Sequence, residues 1–229
     1  MGIIFALIVI IFVGFFTYYL WQIRYGEEST IRELNTKFSK KITINPSQEL
    51  ATSTVADVKY IIRPYDPTVG EKEAPIAIIT FIDFECPYCQ ESYPIFKQIT
   101  EKYAPAVRVV FKHLPFSNLH PQAMNAALAA TCAQEQNKFW EYYDILFTTK
   151  QLDDTSLYAY AKQLSLNESQ FSNCIKNKKY KQHIDQDSLD AVSAGMRGTP
   201  TYIVNGKIYE GVLSIQEWDT IILSNLKQS

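Results

Sequence analysis

The run PIAIITFIDF, Pro75 to Phe84, is an almost unbroken series of β-branched and aromatic residues. Such a run suits a central strand covered on both faces, because neither face alternates to polar. CPYCQESYPIFKQITEKY follows at once and reads as a helix. Pro87 falls in its first turn, where the missing N–H costs nothing. Pro94 falls inside the pattern and is expected to kink it. The stretch RVVFKHL, Arg108 to Leu114, then reads as a second strand. A strand, a helix and a strand in this order form a βαβ unit, and Cys86 and Cys89 stand at the carboxyl end of its first strand.

The chemistry of CPYC follows by elimination and position. Structural zinc usually takes two close pairs of ligands, and Cys132 and Cys174 stand far apart, so no metal site is expected. Covalent haem needs His directly after the second cysteine, where Gln90 stands. A purely structural bridge over so short a loop removes little chain entropy. Redox exchange has a physical basis, because unpaired N–H groups and the dipole of a helix N-terminus favour a thiolate. Cys86 is expected at that end, exposed, as the sulfur that attacks or is attacked. Cys89, three residues on, shares its helix face and can close the disulfide.

The N-terminus bears on compartment. GIIFALIVIIFVGFFTYYLW, Gly2 to Trp21, carries no charge and as a helix spans roughly 30 Å, the thickness of a bilayer's hydrocarbon core. Tyr18, Tyr19 and Trp21 end it with interfacial rings. No basic n-region or small-residue cleavage site marks a signal peptide. A transmembrane anchor is expected over residues 2–21, then a polar tether over 22–57. Within the tether, Ile31, Leu34 and Phe38 have the spacing of a short helix. Arg24 and Arg32 would by themselves favour a cytoplasmic C-terminal part, but long domains translocate largely regardless of such charges. A net charge of −2, with no basic block beside a recognisable module, gives no case for nucleic acid.

The folded domain is expected over 58–229. VKYII reads as a short strand near its start and RPYDPTVGEKEAP as a turn-rich connection. A helical insertion is expected over about 120–196: an Ala-rich helix around Ala123–Ala130, a second at FWEYYDILF, a third capped by Asp154 and Thr155, and a fourth capped by Asn167, with Gly195 at the exit. Thr201 to Val204 reads as a strand, Asn205-Gly206 as a hairpin turn and Lys207 to Tyr209 as the returning strand. A closing helix begins at Ser214. In GTPTYIVNG, Pro200 sits where a strand tolerates proline, at its first residue, in either peptide isomer.

FIDFECPYC, VVFKHLPF, HPQAMNAALAATCAQEQNKFWEYYDILF and GTPTYIVNG together resemble the DsbA-like branch of the thioredoxin superfamily, in the style of membrane-anchored Gram-positive thiol–disulfide oxidoreductases. The resemblance implies an α/β thioredoxin-like fold with an inserted helical domain. It implies a cis Pro200 beside the cysteines, with Thr199, Pro87 and Tyr88 binding substrate. Two departures stand out. The acid that many relatives carry six residues before the first cysteine is here Thr80. Asp83 is nearer, but strand alternation puts it on the opposite face from Thr80. Within the pair Tyr88 replaces the histidine of the strongest oxidases, so a less oxidising couple is expected.

Cys132 and Cys174 both fall in the insertion. As a pair they close a long loop worth roughly 4 kcal/mol on the chain-entropy model. In an oxidising compartment the disulfide is the expected state, two buried free thiols being the alternative. His113, His120 and His183 show no metal spacing.

The function expected is an enzyme, a protein thiol–disulfide oxidoreductase outside the cell membrane that introduces disulfides into exported cysteine-containing proteins. The family implies a membrane thiol oxidase to restore the pair. No cofactor is expected, and a monomer is. The rivals are a reductase or isomerase using the same pair, and a non-catalytic tethered chaperone or binding module.

Overall fold

The computed structural model describes residues 60–227. The expected anchor, the tether with its short helix, and Val58 and Lys59 lie outside them. Among the described residues no helix is long and apolar enough to cross a membrane. The elements are β1 (Thr68–Val69), β2 (Ile76–Ile82), α1 (Pro87–Lys102) and β3 (Val107–His113). Five helices follow: α2 (Ala123–Gln134), α3 (Phe139–Thr149), α4 (Asp154–Gln163), α5 (Glu168–Lys176) and α6 (Lys181–Ser193). The last elements are β4 (Thr201–Val204), β5 (Lys207–Glu210) and α7 (Ile215–Leu226).

The strands form one mixed sheet in the order β1-β3-β2-β4-β5. β2 and β3 run parallel, from Ile76 opposite Val107 to Ile82 opposite His113. All other pairs are antiparallel. The continuous apolar run of β2 has its expected cause, since both of its faces are covered. Ile76 and Ile78 pack with Phe96 and Ile99 of α1 and Trp218 and Ile222 of α7. Ile79 and Phe81 pack on the other face with Val110, Ile203 and Ala191 of α6. β2 therefore ends at a fixed height between two layers, and that fixes where the next residues stand.

Turn chemistry follows local rules. Asn205 and Gly206 both take positive φ, 45° and 88°, which matches a hairpin turn to the twist of β4 and β5. Ser214 and Glu217 cap α7 reciprocally. Asn167 caps α5 by accepting the Gln170 N–H. α4 begins one residue earlier than expected: Asp153 accepts the Ser156 N–H at 3.1 Å, so Asp153 and not Asp154 or Thr155 is the cap.

Two further differences have physical causes. Residues 60–62 form no strand; Ile61 is apolar because it is buried beside Ile79 and Ala191. The edge strand is instead Thr68–Val69, within the segment read as turns, and two residues are too few to show a period. α1 is one helix from Pro87 to Lys102 with Pro94 inside it.

The helical insertion has its own core, joined to the sheet by aromatic contacts. Phe84 packs against Phe111, Tyr143 and Phe147, with ring centroids 5.7, 5.9 and 5.3 Å apart. Cys132 of α2 and Cys174 of α5 are joined as a disulfide with Cα atoms 5.8 Å apart, inside the usual range. The sheet also buries a charge. Lys112 of β3 is fully enclosed, its Nζ 2.6 Å from Asp187 and 3.1 Å from Asp66. Asp190 joins this group and also binds Arg63. A buried ammonium is tolerated only with such partners.

Candidate active site

The site is built where β2 gives way to α1. Asp83 directs the turn: its side-chain Oδ1 accepts the Glu85 N–H at 2.8 Å and its carbonyl accepts the Cys86 N–H at 3.3 Å. An aspartate that bonds the backbone two residues on is a local turn device. Cys86 then takes the N-cap position, with φ −63° and ψ 122°, and Pro87 begins the helix. Gln90 donates its N–H to the Cys86 carbonyl at 3.0 Å, closing the first helical turn.

Cys86 was expected to be exposed, and it is not. Only 5% of it is accessible, and Cys89 is buried. The cover comes from the chain before β4, where the Thr199–Pro200 peptide is cis. Cys86 Sγ lies 3.4 Å from the Thr199 carbonyl oxygen, close enough for its thiol to donate there. The Thr199 hydroxyl is buried with no other partner. Tyr88 is the outward-facing member of the CPYC turn, 63% exposed.

The two thiols are electrostatically unlike. The Cys89 thiol donates to Cys86, and against the cost of burial this bond, the Thr199 side chain and the N–H groups of Cys89 and Tyr88 bring Cys86 down to about 5. Burial, the bond to Cys86 and the charge on Cys86 push Cys89 well above the ordinary thiol range. At neutral pH the dithiol form therefore holds its proton on Cys89 and its negative charge on Cys86. Both cysteines are free thiols in the structure.

Thr80 supplies no acid; its hydroxyl is buried in β2 without a partner. The carboxylate near the pair is Asp83, which lies beyond the end of β2, so strand alternation does not govern it. Its fully buried Oδ2 accepts the Phe116 N–H at 2.9 Å and meets His120 Nδ1 at 2.7 Å. Glu85 accepts the Gln122 N–H at 2.6 Å. Two carboxylates of the CPYC turn thus hold the segment that leads into α2. The sequence reading sets Asp83 aside on strand alternation and takes His120 as an ordinary histidine at a helix start. The available signals were an aspartate just past a strand end and a histidine before a proline at a helix start.

The remaining residues fall elsewhere. Cys132 and Cys174 bridge the insertion and take no part in the CPYC pair. His113 is buried in the sheet, its Nε2 3.0 Å from Thr131 Oγ1, and burial first and Lys112 second pull it down to about 3. It is a neutral core histidine. His183 stacks on Tyr65, with ring centroids 4.1 Å apart. Among the described residues no group of His, Cys, Asp or Glu is arranged to hold a metal ion.

Comparison with known proteins gives this geometry a family. A family model described as Thioredoxin matches residues 63–223. A thioredoxin-like oxidoreductase from Silicibacter pomeroyi superposes with TM-score 0.66 and 22% identity, over 74% of this chain and 96% of that one. Oxidised BdbD from Bacillus subtilis gives 0.64 and 21%, over 79% of this chain and 100% of that one. The thiol-disulfide exchange protein alpha-DsbA2 from Wolbachia pipientis gives 0.65 and 20%, over 74% and 90%. Among curated sequences, the Na(+)/H(+) antiporter NhaA 3 of Salinispora tropica is 34% identical over 176 residues, 76% of this chain but 27% of that protein. The chain thus spans about a quarter of the length of the curated relatives it matches. With a family model that matches residues 63–223, the chain belongs to the thioredoxin family so described, and it shares its fold with DsbA-type structures.

Proposed function

We propose that this chain is a membrane-tethered thiol–disulfide oxidoreductase that donates the Cys86–Cys89 disulfide to exported cysteine-containing proteins. The observation that carries the reading is the split between the thiols: a charge stabilised on Cys86 beside a protonated, buried Cys89. Stabilising the thiolate stabilises the reduced form, which makes the disulfide the stronger oxidant.

The reaction balances as two exchanges. A substrate thiolate attacks Cys86 Sγ, the Cys86–Cys89 bond breaks, and Cys89 leaves and takes a proton. A second substrate thiolate then attacks the substrate sulfur of the mixed disulfide and releases Cys86 as a thiolate, a good leaving group because its affinity for a proton is low. Two electrons pass from substrate to enzyme. Thr199 offers its carbonyl beside the reacting sulfur, and Pro87 and Tyr88 border the path of the incoming chain. A membrane thiol oxidase takes the two electrons away and restores the pair.

An extracytoplasmic position is supported by the Cys132–Cys174 disulfide, since structural bridges persist in oxidising compartments. The apolar residues 2–21 support the tether, and a monomer is the working state. The test is the midpoint potential of the full chain in glutathione buffers. A value of about −120 to −160 mV supports the oxidase, and about −230 mV or lower replaces it with a reductase or isomerase.

A further inference from the structure

Reduction of the Cys86–Cys89 disulfide by two thiols brings in two protons and two electrons. Cys89 keeps one proton, while Cys86 remains a thiolate, so the other proton has to go elsewhere. The turn that carries Cys86 contains a group arranged to receive it.

Asp83 is wholly buried, and its Oδ2 binds His120 Nδ1 at 2.7 Å. With Nδ1–H committed to the carboxylate, Nε2 is the nitrogen that gains or loses a proton. His120 keeps 19% of its side chain accessible, so protons can reach it from water. The charged or titratable groups facing the ring are Asp83, Glu85 and Cys86, all from the β2–α1 turn and all anionic when ionised. Burial works against protonation of the ring, and the Asp83 bond and these three charges more than offset it, so His120 holds its proton above the ordinary histidine range. Asp83 and Glu85 keep their positions whichever form the cysteines take. The charge on Cys86 exists only in the dithiol form.

Resting on the exchange reading above, we infer that the Asp83–His120 pair is a redox-linked proton acceptor: His120 Nε2 takes up a proton when Cys86 is released as a thiolate and returns it when the disulfide reforms. The balance is protein disulfide plus two thiols giving Cys86 thiolate, Cys89 thiol, external disulfide and one proton, which passes to His120. His120 acts through its charge and does not touch the substrate; it is a positioning residue. It also supplies, from across the chain, the cation that Tyr88 cannot supply from within the CPYC turn.

The test uses the full chain with histidine labelled at Cε1, which gives three resonances. Each is titrated in the disulfide and dithiol forms. His120 is expected to have a higher midpoint in the dithiol form. Cys86→Ser, which forms no disulfide and carries no thiolate at that position, should show the midpoint of the wild-type disulfide form. An equal midpoint in the two wild-type forms, or a Cys86→Ser midpoint as high as that of the wild-type dithiol form, overturns the inference. A second readout is the glutathione equilibrium. One released proton makes reduction about tenfold more favourable per pH unit; the wild type should rise less steeply around neutrality, and His120→Gln should restore the tenfold slope. An unchanged slope counts against the proposal, and the NMR comparison needs no variant that might misfold at position 120. If the wild-type pair does not exchange with glutathione at all, the exchange reading falls and this inference with it. If it exchanges while the His120 midpoint stays fixed, only the inference falls.

Discussion

The sulfur of Cys86 lies 3.4 Å from the carbonyl oxygen of Thr199, a residue 113 positions further along the chain. That contact joins the N-terminus of α1 to the segment entering β4. It explains why a cysteine at a helix N-terminus is nearly inaccessible to water. Enclosure alone would raise the thiol, and the hydrogen bond from Cys89 reverses the sign.

The first prediction concerns pH. Alkylation of the dithiol form should occur at Cys86 with a midpoint near 5, while Cys89 stays unreactive through neutrality. The sign for stability follows. Cys86 in the folded dithiol form lies below its unfolded value of about 8.5, so its contribution is complete above that value and is lost as pH falls through about 5. The dithiol form should therefore melt above the disulfide form at pH ~8, with the gap closing by pH ~5. Equal melting temperatures at the higher pH would contradict the assignment of charge to Cys86.

Single replacements should separate the roles of the two sulfurs. Cys86→Ser should abolish disulfide transfer to a reduced model protein. Cys89→Ser has no disulfide to donate; its Cys86 thiolate should attack a disulfide-bonded substrate and accumulate a mixed disulfide visible by mass spectrometry, since no second enzyme sulfur can resolve it. If Cys86→Ser retains transfer, Cys86 is not the sulfur that carries the exchange.

The Cys132–Cys174 bridge should act on stability and not on exchange. It spans a sequence separation of 42, for which chain entropy predicts about 4 kcal/mol. Replacing both with Ser should cost about 2–4 kcal/mol in urea unfolding and leave the potential of the CPYC pair unchanged. A shifted potential would make the bridge part of the electron path.

Lys112→Met should be costly although it exchanges a charge for an apolar chain of similar length. The three aspartates around Nζ would be left buried and short of a cation, and Arg63 reaches only Asp190 among their carboxylates by ion pairing. Breaking a buried pair from one side costs about 3–5 kcal/mol. A loss under about 1 kcal/mol in the same urea measurement would show that the cluster relaxes into water.

The sequence alone determined what depends on near neighbours. The apolar run of β2, the proline after Cys86, the Asn205-Gly206 turn and the Ser214 cap are set by backbone sterics and periodicity over a few residues. Together they put CPYC at the carboxyl end of a strand. Tertiary structure decided what depends on which surfaces meet. Cys86 is covered because Thr199 arrives from far along the chain. Asp83 has a histidine partner because the segment before α2 folds back over the turn, across 37 positions. Lys112 is buried in β3 because α6 brings Asp187 and Asp190 to it. Ile61 is apolar for packing and not for pairing, a distinction no short window can make. Local rules thus fixed where the cysteines sit, and the charges that decide how they react came from residues distant in sequence, because electrostatic and burial energies depend on distance in space.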